Sequence, residues 1–238
     1  MNNKLEKKQR IAKLISRSGF SSRRKAEELI FQGKVKVGNT IISNPATKIN
    51  ENSEIKINDI LIPKKDPLAI YVYYKPKGLI VTKSDEKSRP TIYEDLPKQM
   101  RNLISVGRLD KNTSGLLLLT NDGHLSRFLE LPKNRFERKY EVKIRGKLSK
   151  FQIKRIREGL IINRFKYQPI NIIILSKSSK FSNLELCLFE GKNREIRRIM
   201  EYFETPVIEL KRISYGPYVL DELKPSEFHK SNLNYIDY

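Results

Sequence analysis

The sequence of 238 residues contains one cysteine and two histidines. Cys187 has no intrachain partner for a disulfide, and its setting in LELCLFE marks it as a small core residue. With His124 and His229 the only imidazoles, no His/Cys metal cluster can be assembled. That excludes zinc deaminases and metallonucleases, and no metal is expected. Neither GxxxxGK[ST] nor GxGxxG occurs, so no nucleotide cofactor is called for, and the expected cofactor set is empty. No stretch approaches the roughly 18 consecutive apolar residues of a membrane span. The start, MNNKLEKKQR, has no apolar signal core. A cytoplasmic protein without membrane contact is expected. Acidic residues are also scarce: 27 stand against 48 Lys and Arg, leaving a net charge of +21.

That charge is spread through both halves of the chain rather than confined to a tail, which points to a nucleic-acid partner. Hydrophobic residues make up 38%, enough for a core beneath a heavily charged surface. The length suits a small domain followed by a medium one.

The N-terminal part reads as two short helices and a small sheet. Lys4 to Lys8 is a charged lead-in. Ile11, Leu14 and Ile15 have helical spacing up to Gly19. Ser21 or Ser22 can cap a second helix with Ala26, Leu29 and Ile30 on one face, stopped by Gly33. KVKVGNTII reads as a hairpin about Gly38-Asn39, and Glu54–Ile57 alternates as a strand. SGFSSRRKAEELIFQGKVKVG resembles the S-four-type RNA-binding module, which implies that residues 8–57 form such a domain. Arg23, Arg24 and Lys25 are its candidate RNA contacts, reaching phosphates rather than base edges. Asn58 to Pro67, with Lys64-Lys65, reads as a linker.

Residues 68–238 form the second domain. AIYVYY, LIVT, KYEVKI, INIIIL, NLELCLFE and VIELKRISYGPY read as strands. Helices are expected over Gly123–Leu129, after Ser149 (carrying Phe151, Ile156 and Leu160) and over Asn193–Phe203, with an irregular tail. Without regular βαβ alternation, this is an α+β domain on a mainly antiparallel mixed sheet with flanking helices.

Val106 to Gly123, VGRLDKNTSGLLLLTNDG, organises this domain. Leu116–Leu119 reads as a strand buried on both faces. It anchors the preceding turn, which can then present Asp110 at a fixed place. Standing alone, an Asp ahead of Thr113-Ser114-Gly115 is an ordinary turn former. GRLDKNTSGLLLLTNDG, however, resembles the active-site motif of pseudouridine synthases, in particular the RsuA/RluB branch that modifies ribosomal RNA. ERKY, EGKNREIRRIM, YKPKG and LKRISYGP extend the resemblance over nearly the whole chain.

The resemblance implies that Asp110 is the nucleophile and that Arg108 helps hold the target nucleotide out of its helix. It implies that Tyr140 contacts the target base and that Arg197 pairs with Asp110. A bidentate pair would fix the direction of the carboxylate. Arg194 and Arg198, with Lys75 and Lys77 of YKPKG, are further candidate RNA contacts. Glu195 stands where the family commonly has Gln. Uridine-to-pseudouridine conversion breaks one C–N glycosidic bond and rejoins the same base to the same sugar through carbon. It needs no redox partner or group donor. Attack on the uracil ring or on ribose C1′ would use the same residues. The expected protein is a monomeric rRNA pseudouridine synthase, with large-subunit RNA the favoured target and small-subunit RNA the alternative. A non-catalytic RNA-binding ribosome-assembly factor and a glycosylase are the competing functions. Asp110 argues against the first, since a pure binder gains nothing from a carboxylate that repels phosphate.

Overall fold

A computed structural model describes residues 8–63 and 67–233. The lead-in lysines before Lys8 and the linker pair Lys64-Lys65 lie outside them. The described chain divides into two units, on either side of the Leu68–Ala69 bond.

In the N-terminal unit β1 (Lys8–Arg10) precedes α1 (Ile11–Arg17) and α2 (Arg23–Phe31). They are followed by β2 (Val35–Val37), β3 (Thr40–Ile41), β4 (Lys48–Asn50), β5 (Ile55–Ile57) and β6 (Ile60–Leu61). Ser22 caps α2 by accepting from Lys25 N at 3.2 Å, satisfying one of the helix's free amides. Ile11, Ile15, Ala26, Ile30 and Val35 close the core between the helices and the sheet β3-β2-β5-β6. Arg23, Arg24 and Lys25 stay exposed. The linker expectation is corrected at its start. Ile60–Leu61 pairs with β5 through its backbone while both side chains stay exposed, and Ile62 alone turns into this core. The Asn58-Asp59 turn makes a hairpin with β5, and burying Ile62 favours that pairing over a free linker. Both β1 and its partner β4 were missed; strands of three residues carry too little alternation to be read.

The second unit runs β7 (Ile70–Lys75), α3 (Ile92–Asp95), β8 (Ile104–Ser105), β9 (Ser114–Thr120), α4 (Gly123–Glu130) and β10 (Arg138–Arg145). Next come α5 (Lys150–Glu158), β11 (Leu160–Ile162), β12 (Phe165–Tyr167), β13 (Asn171–Lys177) and β14 (Phe181–Leu188). The last elements are α6 (Glu195–Tyr202), β15 (Val207–Tyr215), β16 (Tyr218–Val219) and β17 (Phe228–Ser231). The main sheet has the order β13-β14-β10-β15-β9-β7-β17, with β16 on β15 and β8 on β9. Its ladders are antiparallel except the central one, β9 with β15. This is the expected mainly antiparallel α+β architecture.

Leu116 to Leu119 are fully buried, as a central strand covered on both faces requires. One core cluster joins β10, β13, β14 and β15 to α5 and α6; another joins β7 and β9 to α3, Leu103 and Leu109. Tyr140 packs against both. Three local expectations are corrected. LIVT forms only an isolated bridge, Ile80 to Thr91. The Ser149-capped helix stops at Gly159, so Leu160 opens a strand and Phe151 is exposed. The tail is not wholly irregular, since β17 pairs with β7.

Candidate active site

Asp110 sits in the turn between β8 and β9, and its backbone is tied down at four successive carbonyls. Asp110 O accepts from Thr113 N at 3.0 Å and Lys111 O from Gly78 N at 2.8 Å. Asn112 O accepts from Arg197 Nη2 at 2.8 Å and Thr113 O from Lys75 Nζ at 2.9 Å. Leu109 is buried on one side, and β9 follows on the other. The Asp110 side chain takes no part in closing the turn. Its partner among the described residues is Arg194, Nη1 to Oδ2 at 3.9 Å. A carboxylate left free of its own turn, on backbone held this firmly, is presented rather than structural.

Around it opens a cleft of about 780 Å³. Arg108, Tyr140, Arg194 and Arg197 line it together with Asp110, although they come from the β8–β9 turn, β10 and the start of α6. Lys77 and Arg198 do not line this cleft. Lys77 and Arg198 are exposed, and the Arg198 guanidinium lies 5.8 Å from the Phe165 ring centroid.

Two expectations change. Arg197 makes no bidentate pair with Asp110. Its Nη2 donates to Asn112 O, its Nε lacks a partner among the described residues, and the cation paired with the carboxylate is Arg194. The resemblance implied a role beside Asp110, but nothing local in the sequence says where the Arg197 stem ends. Lys75 is no phosphate contact: it is fully buried and donates to Pro76 O and Thr113 O beneath the Asp110 turn. Burial pushes its ammonium down to about 8, and the nearby Asp110 carboxylate opposes that shift.

Several cleft residues escaped the sequence. Arg138 is buried and donates to Phe189 O at 2.9 Å and to Tyr215 Oη at 2.7 Å. Arg212 Nε donates to Leu116 O at 2.7 Å, while its Nη2 is buried without a partner among the described residues, as is Thr113 Oγ1. Arg138 and Arg212 both stack on the Tyr215 ring, at 4.6 and 5.0 Å. The available signal was alternation. Arg212 shares strand parity with buried Leu210 and Ser214, and an arginine on the inward side of a strand needs a reason.

A presented carboxylate in an arginine-lined cleft, on a mixed sheet, suits an enzyme working on a polyanion. Comparison with known proteins specifies which. Residues 9–55 match the S4 domain and residues 69–202 match the RNA pseudouridylate synthase family. The chain therefore belongs to the RNA pseudouridylate synthase family. It is 46% identical, over 94% of its length and 97% of the relative's, to an uncharacterised RNA pseudouridine synthase of Rickettsia felis. It is 35% identical, over 87% of its length and 86% of the relative's, to ribosomal large subunit pseudouridine synthase B of Bacillus subtilis. A pseudouridylate synthase crystal structure superposes with a TM-score of 0.67 at 28% identity, covering 94% of this chain and 96% of that one.

Proposed function

We propose that this chain isomerises a uridine of large-subunit ribosomal RNA to pseudouridine, with Asp110 as nucleophile, acting in the cytoplasm as a monomer. The observation that carries this reading is the Asp110 carboxylate itself, free of its turn and facing a cleft lined by Arg108, Tyr140, Arg194 and Arg197. The likeness to the Bacillus subtilis enzyme supports the choice of large-subunit RNA. In this mechanism the target base leaves its helix at a cost of about a few kcal/mol, which basic and aromatic contacts must offset. Arg108, exposed at the rim, takes the place of the extruded nucleotide. Tyr140 forms the wall against the base and is positioned to take part in the proton transfer that follows C–C bond formation. Arg194 offsets the like-charge repulsion between Asp110 and the phosphates. The test is to map pseudouridine in the rRNA of cells with and without the protein. Loss of one large-subunit site supports the proposal, loss of a small-subunit site redirects it, and no change overturns it.

Arg197 is expected to act through the turn rather than through charge. Arg197→Met releases Asn112 O, letting Asp110 drift by a fraction of an ångström to an ångström, a displacement that can cost about a hundredfold in rate. RNA affinity should stay within a few-fold. Lys in place of Arg197 keeps the charge but loses the planar fork, so it should recover only part of the rate. Arg198→Met should instead weaken binding with little change in rate at saturating RNA. Single-turnover kinetics and affinities for the three variants decide; a native rate for Arg197→Met would refute the tether.

The exposed run Arg23, Arg24 and Lys25 is expected to hold phosphates. Its triple replacement by Ala should weaken rRNA binding and reduce the slope of log K against log salt by up to roughly 2 to 3, as released counterions are lost. Because Arg23 already pairs with Glu27 at 3.4 Å and Lys25 with Glu28 at 2.8 Å, Arg24 is expected to be the largest single contributor. An unchanged slope would mean that the helix face is merely solvated.

A further inference from the structure

The turn that delivers Arg194 to Asp110 is built on an acid pair with no assigned role. Between β14 and α6 the segment 190–195 closes on itself. Lys192 N donates to Glu195 Oε2 at 3.1 Å, and Glu195 N donates to Lys192 O at 3.2 Å. Arg194, inside that closed turn, adopts φ +52, a left-handed conformation that a non-glycine residue holds only when its surroundings impose it. Glu190 Oε1 accepts from Gln168 N at 2.9 Å, and its Oε2 pairs with Lys192 Nζ at 2.7 Å. Glu195, 4% exposed, lines the cleft with Glu190, which acts directly on its carboxyl, yet its Oε1 has no hydrogen-bond partner among the described residues.

The charged groups bearing on Glu195 are Glu190, from the end of β14, and Lys192, from the turn. Arg138 of β10 packs against Gly191, but its Nη atoms are engaged by Phe189 O and Tyr215 Oη. Two carboxylates cannot face each other in a buried setting without a proton between them. A proton held on Glu195 removes that repulsion and gives its carboxyl a donor toward Glu190.

We propose that Glu195 is a proton-dependent positioning residue: protonated, it bonds Glu190 and holds the 190–195 turn so that Arg194 reaches Asp110, and ionised, it releases that turn. This rests on the reading of Asp110 as nucleophile. Burial first, and the facing Glu190 second, push the Glu195 carboxyl up from 4.5 to about 8. Between those values the folded chain keeps a proton that the unfolded chain has lost. Stability therefore falls as pH rises through that window, and levels off above it.

Glu195→Gln tests the proposal, because an amide donates to Glu190 and accepts from Lys192 N at every pH. Native chain, Glu195→Gln and Glu195→Ala are compared by thermal unfolding from pH 6 to 9.5, and by single-turnover pseudouridine formation on unmodified transcribed rRNA. At pH 9 only about a tenth of a carboxyl with a pKa near 8 remains protonated. The ratio of rates at pH 9 and pH 7 should therefore be up to about tenfold higher for Glu195→Gln than for the native chain. Its unfolding temperature should also fall less over the same range. Glu195→Ala, with no donor, should lose rate at both pH values. Lys75, which also titrates near 8, is common to all three chains and cancels. Superimposable pH profiles for native and Gln chains, or a native rate for Glu195→Ala, overturn the proposal. Failure of the native chain to form pseudouridine overturns the functional assignment instead. The unfolding curves, which need no RNA, then still decide whether the proton is present.

Discussion

Asp110→Asn should abolish pseudouridine formation, by on the order of 10⁴-fold or more, the scale on which loss of a nucleophile is felt. RNA affinity should stay within a few-fold. The amide is nearly isosteric, and the backbone of the turn is held by Gly78, Thr113, Lys75 and Arg197 rather than by the side chain, so the site should remain intact. Only the nucleophilic oxygen is lost. A pure RNA-binding protein would respond in the opposite way, because removing a carboxylate beside phosphate strengthens binding. The measurement is single-turnover formation on rRNA alongside affinity, with contaminating wild-type enzyme excluded. Appreciable turnover by Asp110→Asn would falsify the assignment.

The largest structural effect is expected at Gly115, the second residue of β9. Its φ is +100, and a Cβ there would stand 2.2 Å from Arg212 O and 2.8 Å from Arg212 N. Neither atom can yield, because both belong to the parallel partner strand β15, where Arg212 is in register with Gly115. Gly115→Ala must force apart the central ladder of the sheet, at a cost of about 3 kcal/mol from strain and overpacking. For a domain of this size that lowers Tm by roughly 6 to 12 °C. Gly38→Ala makes the contrast, since φ is +58 there but no atom lies within 4 Å of the added methyl. It should cost only about 1 kcal/mol. Equal melting temperatures for the two variants would show that β15 moves freely.

What the sequence disclosed and what it hid divide along one line. The strand Leu116–Leu119, the Ser22 and Ser149 caps and the helix α6 were legible, because each is set by near neighbours in the chain. The closeness of Asp110 to Tyr140 and Arg197 followed only from resemblance. No local pattern brings residues 110, 140 and 197 together. Long side chains were the hardest. Lys75 and Lys77 are two residues apart in one motif, yet one is fully buried under the active-site turn and the other exposed. Where a four-carbon stem or a guanidinium fork ends depends on carbonyls from remote segments, such as Thr113 O and Asn112 O. Arg138 and Arg212 were missed for the same reason.

The order of strands has a consequence for how the protein is born. The first strand of the second unit, β7, finds its outer neighbour in β17, with Tyr73 opposite Phe228. The Asp110 strand, β9, is flanked on its other side by β15, with Ser114 opposite Lys211. During translation, then, the sheet beneath Asp110 cannot close until about a hundred further residues have left the ribosome, and such distant pairings form slowly. The N-terminal unit, complete by Ile62, can fold long before. A ribosome still making this chain thus displays a finished RNA-binding module ahead of an unfinished catalyst, and stop codons after the N-terminal unit but before β15 should yield binders without activity.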